Sequence, residues 1–277
     1  MRQRVRVLGT PDLPEALDLL TSDPVTNLFV TSRVRQSGLD PFRLGCEIWG
    51  YERQGRLVAL CHAGSNLVPV GDPAGLEHFV EKVGPRRRAS SIMGDAELTI
   101  DFWNRLTNRW GPVWGAARDV RPHQPLMVMD TAPTCAVDDR VRRIGQDDFD
   151  SYFEAAARMY TEEVGISPLD PSRSYESYVR RLITEGKAFG IVEDGRVIFK
   201  SDIGSATGSI CQIQGVWLDP VLRGRGLSEP AMARVVELCR DHFGLVSLYV
   251  NDYNVRARRL YERIGFRTVG ELATVLY

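Results

Sequence analysis

A strand that gives way to two glycines one residue apart, and then runs directly into a helix, constrains this chain more than any other feature. The stretch is Gln214-Gly-Val-Trp-Leu-Asp-Pro-Val-Leu-Arg-Gly-Arg-Gly-Leu-Ser228, followed by the helical pattern Ala231-Met-Ala-Arg-Val-Val-Glu-Leu-Cys239. Gly224 and Gly226 can take backbone conformations closed to other residues and let a ligand approach the main chain. The helix behind them presents N–H groups without intrahelical partners at the positive end of its dipole. Such a turn is an anion cradle, and a diphosphate is its natural occupant. A dinucleotide fingerprint needs a third glycine three residues after Gly226, where Glu229 stands, and a Walker-type loop needs Gly-Lys-Ser/Thr, which is absent.

A second segment lies downstream. Leu245-Val-Ser-Leu-Tyr-Val250 has the β-branched and aromatic content of a buried strand. After a polar turn comes Asn254-Val-Arg-Ala-Arg-Arg-Leu-Tyr-Glu-Arg-Ile-Gly-Phe266, in which Ala257, Leu260, Tyr261 and Ile264 share one helix face and Gly265 supplies the stop. The turn Arg223-Gly224-Arg225-Gly226-Leu227-Ser228 resembles the Arg/Gln-x-x-Gly-x-Gly/Ala turn of the GCN5-related N-acetyltransferases (GNAT superfamily). The segment Asn254 to Phe266 resembles that family's Asn-x-x-Ala-x-x-Leu-Tyr-x-x-x-Gly-Phe signature, in the family's order and at its spacing.

The resemblance implies an α/β (α+β) fold, a mixed, mostly antiparallel sheet flanked by helices, and acetyl-CoA as the acyl donor. It implies that the turn Arg223, Gly224, Arg225, Gly226, Leu227 and Ser228 holds the CoA pyrophosphate, with Ser228 replacing the usual last Gly/Ala. It further implies that the main chain of Val216, Trp217 and Leu218 pairs with the pantetheine arm, that Asn254 contacts the cofactor, and that Tyr261 gives a proton to the departing thiolate. Read from the residues alone, Tyr261 is also one member of an apolar helix face, and Asn254 equally suits a helix N-cap. Gly215 in a β-rich run points to a bulge that splays its strand from the next.

At 277 residues the chain exceeds one typical domain, and a single domain of this family would fill only its second half. The turn-rich stretch Asp130 to Asp139 reads as a linker, which gives an N-terminal domain over 1–130 and an acetyl-CoA-binding domain over 137–277. In the second, Val141 to Ile144 reads as a strand, Asp147 to Val164 as a helix, and Pro171 to about Glu185 as another. Ala188 to Phe199 reads as a hairpin turning at Asp194-Gly195. The first half repeats the theme with helices over Pro14 to Leu20 and Asn27 to Gln36. Strands over Cys46 to Glu52 and Arg56 to His62 follow, joined at Gln54-Gly55. Where its cradle should follow, it offers only Pro69-Val-Gly-Asp-Pro-Ala-Gly75 before a helix through Val83. It therefore resembles a degenerate GNAT domain in a tandem with an intact C-terminal copy. A lid, a dimerisation surface, as in a homodimer, or part of the acceptor site are the roles left open for it.

Acyl transfer to an amine needs a base for the ammonium, a polarised thioester carbonyl and a donor for the thiolate. Many family members carry a glutamate on the cradle strand or the next, but those positions here hold Gln212 and Tyr249, leaving Glu162, Glu163 and Glu229 as candidates. The function expected is acetyl-CoA-dependent N-acetyl transfer to a primary amine by direct transfer in a ternary complex. The alternatives are a non-catalytic acyl-CoA-binding sensor or regulator and an interaction module with a vestigial site.

A net charge of -1 argues against general affinity for nucleic acid or acidic membranes, and Arg86-Arg87-Arg88 is the only compact basic run. Five scattered cysteines and four scattered histidines carry neither a disulfide framework nor metal-ligand spacing, so no metal is expected. No apolar stretch approaches a membrane span, and Pro11, Asp12, Pro14, Glu15 and Asp18 interrupt what would be a signal-peptide core behind the basic start Met1 to Arg6. A cytoplasmic protein is expected.

Overall fold

The computed structural model describes residues 3–277; Met1 and Arg2 of the basic start lie outside them. In chain order the first half contributes β1 (Gln3–Val7), α1 (Leu13–Thr21), α2 (Leu28–Ser37), α3 (Pro41–Leu44), β2 (Glu47–Arg53), β3 (Arg56–Ala63) and β4 (Asn66–Gly71). It continues with α4 (Leu76–Val83), β5 (Ser91–Asp95), α5 (Ala96–Trp110), α6 (Pro112–Gly115) and β6 (Asp119–Met129). The second half contributes β7 (Arg142–Arg143), α7 (Phe149–Val164), α8 (Ser174–Thr184), β8 (Ala188–Glu193), β9 (Arg196–Thr207) and β10 (Ile210–Leu218). Then come α9 (Ser228–Arg240), β11 (Leu245–Tyr249), α10 (Val255–Ile264) and β12 (Arg267–Leu276). The result is the mixed α/β architecture expected, with helices flanking a mostly antiparallel sheet.

These elements form two compact units that are not consecutive halves of the chain. One comprises residues 3–126 together with 249–253 and 269–277; the other comprises 127–248 and 254–268.

In the first unit β1 to β5 follow one another across the sheet, and β12 pairs antiparallel with β5 from Leu272 opposite Asp95 to Leu276 opposite Ser91. The last strand thus lies between β5 and β6. Val275, fully buried, joins a core built around Phe79, Phe102, Leu106 and Trp114, and Tyr277 packs edge-on against Trp114 with its hydroxyl donating to the Trp114 carbonyl. On the sheet's opposite side α1 and α2 bury Ala16, Leu20, Val30 and Val34 against Leu60 and Val68.

In the second unit the strand order is β11-β10-β9-β8-β7. The β8–β9 hairpin turns at Asp194 (φ 49°) and Gly195 (φ 73°), two left-handed residues as the Asp-Gly pair predicts for the turn type that matches strand twist. Helices α7 and α8 pack Tyr152, Ala155, Ala156, Val179 and Leu182 over Val197 and Trp217. Helix α9 buries Ala231, Met232, Val235, Val236 and Cys239. The stretch read as a linker is anchored rather than loose. Thr134 N–H and hydroxyl both bond carbonyls at the end of α10, and Asp138 N–H bonds the Pro230 carbonyl.

Because β12 belongs to the first unit, a chain ending at Thr268 should damage the part of the protein farthest from the cut in sequence. Limited proteolysis is expected to cleave within 1–126 before 127–248; equal protection of the two regions would show that β12 is dispensable.

Candidate active site

The site is assembled at one irregularity of β10. Its pairing with β11 is parallel and, among the described residues, covers only Ile210–Gln212 against Leu245–Ser247. Beyond Gln212 the two strands part. On its other edge β10 pairs with β9, but the register slips between Gln214, opposite Asp202, and Trp217, opposite Lys200. Gly215 and Val216 thus face the single residue Ser201, which is a β-bulge with Gly215 at φ 60°. A side chain at 215 would also have no room: a Cβ there would lie 2.8 Å from Asp202 Oδ2, 2.9 Å from Lys200 Nζ and 3.2 Å from Met159 Cε.

The turn follows directly. Asp219 starts a single 3-10 turn, Pro220–Leu222, by accepting from Val221 N–H at 3.1 Å. The chain then passes through Arg223 to Leu227 before α9 begins. Gly224 (φ 84°) and Gly226 (φ 79°) both occupy the left-handed region that favours glycine, and a Cβ on Gly226 would meet nothing within 4 Å. The turn is therefore open on the side where a ligand would approach. No side chain caps the start of α9 among the described residues, which leaves its first N–H groups facing that space.

Arg223 is folded back, its Nε donating to the Leu218 carbonyl at 3.0 Å and its Nη2 pairing with Glu162 at 2.6 Å. Arg225 is exposed on the rim. Sequence reasoning missed Arg256, in the first turn of α10, whose Nη2 lies 3.9 Å from where a Cβ on Gly224 would be. It adds a cation to the mouth of the turn. Its only sequence signal is its place two residues after Asn254.

Asn254 caps α10, its side chain accepting from Ala257 N–H at 3.1 Å. Tyr261, on the buried face of the same helix, is 8% exposed and packs edge-on against Phe266. Burial pushes its hydroxyl well above the ordinary tyrosine range, and the Glu163 carboxylate raises it further. Of the three glutamates, Glu162 is held by Arg223 and by the Trp217 indole N–H at 3.2 Å, while Glu229 pairs with Arg263 at 2.6 Å. Glu163 is the carboxylate whose charge reaches Tyr261. Gln212 occupies the last rung before the strands part.

Beside the bulge, Gln214 donates to the Tyr178 hydroxyl at 2.5 Å. Tyr178 belongs to a cleft of about 400 Å³ lined also by Tyr160, Tyr175, Ser167, Pro168 and Asp170. Tyr160 and Tyr175 stand 5.3 Å apart, centroid to centroid. Burial raises the Tyr175 hydroxyl, with Asp202, Tyr178, Tyr160 and Glu163 adding to it.

The first unit lacks this turn for a visible reason. It has the same Asp-Pro start, with Asp72 accepting from Ala74 N–H at 2.8 Å, but the 3-10 turn Pro73–Gly75 runs into α4 at Leu76 without intervening residues. The five residues 223–227 have no counterpart there.

A parted parallel strand pair, a bulge, and an open glycine turn before a helix define a class of α/β domain with an anion-receiving helix start. The comparisons make that class particular. The family model described as "Acetyltransferase (GNAT) family" matches residues 149–266, and one described as a domain of unknown function (DUF4081) matches residues 46–152. The chain is similar to an uncharacterised N-acetyltransferase of Escherichia coli strain K12, YjgM, at 29% identity over 116 residues, 39% of this chain and 67% of that protein.

Among solved structures it is similar to a GCN5-related N-acetyltransferase of Sphaerobacter thermophilus (TM-score 0.67, 16% identity, 99% of this chain and 94% of that one). It is also similar to a tandem GNAT protein from the clavulanic acid biosynthesis pathway (TM-score 0.61, 15% identity, 99% and 98%). A GNAT-family acetyltransferase of Colwellia psychrerythraea matches at TM-score 0.61 and 11% identity over 99% of both chains. At these identities the structural likeness is one of fold, and it spans both halves. The C-terminal region of the chain is a domain of the GNAT acetyltransferase family, whose general chemistry is acyl transfer.

Tyr152, Tyr175, Tyr261 and Tyr277 are all raised chiefly by burial, Tyr277 to about 12. A raised acid keeps its proton longer in the folded state than in the unfolded one, so the stabilisation is complete below the ordinary tyrosine pKa near 10 and declines as pH rises above it. Phenolate absorbance of the native protein should therefore lag that of the denatured chain, and denaturant midpoints should fall as pH climbs past about 10. Coincident titration curves would show these hydroxyls to be open to solvent.

Proposed function

We propose that the second unit transfers the acetyl group of acetyl-CoA directly to a primary amine within a ternary complex. The observation that carries this reading is the main-chain track running from the parted edge of β10, past Gly215, into the open turn ahead of α9. A cofactor with a diphosphate at one end and an extended amide-bearing arm at the other suits both parts at once.

In this reading the amides of Arg223, Gly224, Arg225, Gly226, Leu227 and Ser228 hold the pyrophosphate, with Arg225 and Arg256 supplying charge. The main chain of Val216, Trp217 and Leu218 takes the pantetheine arm as an added strand, and an N–H of that edge meets the thioester carbonyl. Asn254 serves the cofactor indirectly, by fixing the start of α10. The amine enters from the tyrosine-lined cleft and gives up a proton to Glu163. The neutral nitrogen then attacks the carbonyl carbon, the C–N bond forms as the C–S bond breaks, the sulfur leaves as thiolate, and the proton still in excess on the nitrogen is released to water as the amide forms. Tyr261, which keeps its proton at neutral pH, donates to that sulfur.

The engagement of Glu162 and Glu229 in ion pairs favours one second reading, a domain that binds acyl-CoA without turning it over. Thiol release from acetyl-CoA against a panel of primary amines separates the two: tight binding without thiol release for any amine of the panel would leave the sensor standing.

Gly226→Glu places a carboxylate in the open space of the turn at a left-handed φ. Calorimetry should show CoA affinity reduced roughly a hundredfold or more, equivalent to about 2.7 kcal/mol. Unchanged affinity would remove the turn from the site. Tyr261→Phe should lower kcat about a hundredfold with the CoA dissociation constant nearly unaltered, and Glu163→Gln should lower kcat similarly. Wild-type turnover in either variant would strip that residue of its role.

A further inference from the structure

The most unusual side chain in the second unit is outside every role assigned above. Lys200, in the middle of β9, has no exposed side-chain surface at all. Lysine is rarely buried without a partner, and a buried ammonium must find acceptors for its protons. Its Nζ has two, Asp202 Oδ2 at 2.6 Å and the Gly215 carbonyl at 2.9 Å. Asp202 is itself 4% exposed, and its other oxygen accepts from the Tyr152 hydroxyl, which also lies 3.1 Å from the Ser201 carbonyl. The Tyr152 ring covers the ammonium at 5.2 Å. The cluster is closed: α7 supplies Tyr152, β9 supplies the ion pair, and β10 supplies one carbonyl.

That carbonyl belongs to the bulge. Lys200 and Asp202 sit opposite Trp217 and Gln214, the two residues where the regular ladder resumes on either side of it. A bulge leaves main-chain groups without ladder partners, and its geometry is free to relax unless something holds it. Asp202 is not placed to receive a substrate proton, since both its oxygens already accept from Tyr152 and Lys200 and it is shut off from solvent.

We infer that Lys200, pinned by Asp202, is a positioning residue that latches the Gly215 carbonyl into the sheet and so fixes the direction of the Val216 and Trp217 amides along the parted edge of β10. This rests on the reading of that edge as the thioester site. The ion pair acts through the peptide geometry and touches neither donor nor acceptor.

Lys200→Met alone would strand a buried carboxylate, so the informative variant is Lys200→Met with Asp202→Asn, which removes the latch without leaving an unpaired charge. Three measurements on full-length protein decide the matter: amide hydrogen exchange at Val216 and Trp217, CoA affinity by calorimetry, and the carbonyl stretch of bound carbonyl-labelled acetyl-CoA by isotope-edited infrared spectroscopy. The expected result is exchange at those two amides accelerated about tenfold or more relative to Tyr249 and α9, with the carbonyl stretch moving toward its free-solution position. CoA affinity, set mainly by the turn at 223–228, should change less than about threefold. Exchange within about twofold of wild type, or a carbonyl stretch that does not move, would overturn the inference. Should the double variant fail to fold, Lys200→Gln, which keeps a donor for Asp202 but is too short to reach both acceptors, is put through the same measurements under the same criteria. If wild-type protein binds no acetyl-CoA, the transferase reading fails by itself, and the exchange rates alone decide whether Lys200 holds the bulge.

Discussion

One extra residue in β10 is the constraint on which the second unit depends. In a regular ladder each edge group of a strand would be spent on its neighbours. The bulge at Gly215 and Val216, together with the early parting of β10 from β11, leaves a stretch of backbone that belongs to the sheet yet is not consumed by it. Keeping it in one conformation requires burying an ammonium and a carboxylate, each of which costs several kcal/mol to remove from water. The cost is offset by the partners in place: Tyr152 and Lys200 converge on Asp202, and Lys200 also donates to the bulge carbonyl. A hydrophobic replacement could stabilise the fold as well, but it could not hold a carbonyl.

The two units show how small the difference is between a helix start that can receive an anion and one that cannot. Both begin with Asp-Pro and a single 3-10 turn, and in both the aspartate accepts from the N–H two residues on. In the first unit the helix begins at once, and the Asp72 carboxylate, paired with Arg53 at 2.8 Å, already stands at its N-terminus. In the second, five residues with two left-handed glycines intervene. Negative charge at a helix start is favourable in either case. The first unit supplies its own, and the second leaves the position to something else.

Much of this was legible because it is local. The glycine turn, the Asp194-Gly195 and Gln54-Gly55 hairpins, the helix faces and the bulge glycine all declare themselves within a few residues, through φ values that few side chains tolerate. The Lys200–Asp202 pair was not legible. Two charged residues at i and i+2 on a strand ordinarily mark a solvated face, and only a bulge on the neighbouring strand and a tyrosine from α7 turn that face into an interior. Arg256 escaped for the opposite reason, since a basic residue in a helix so rich in arginine reads as surface. The partition of the chain was hidden as well. Leu272 to Leu276 form a largely apolar run like that of many buried strands, and nothing in them says that their partner is β5, 177 residues earlier when Leu272 is counted against Asp95 (272 − 95).

That last pairing orders events during synthesis. Domains generally fold as units from the N-terminus as the chain emerges, yet here the sheet of the first unit lacks one strand until Arg267–Leu276 has appeared. The second unit, continuous except for a short excursion, has all its own strands by Tyr249. The unit whose first strands precede the other's is therefore completed after it. An interrupted chain could carry a complete acyl-transfer domain joined to a partner with an open edge beside β5, a strand edge of the kind that invites pairing with other chains.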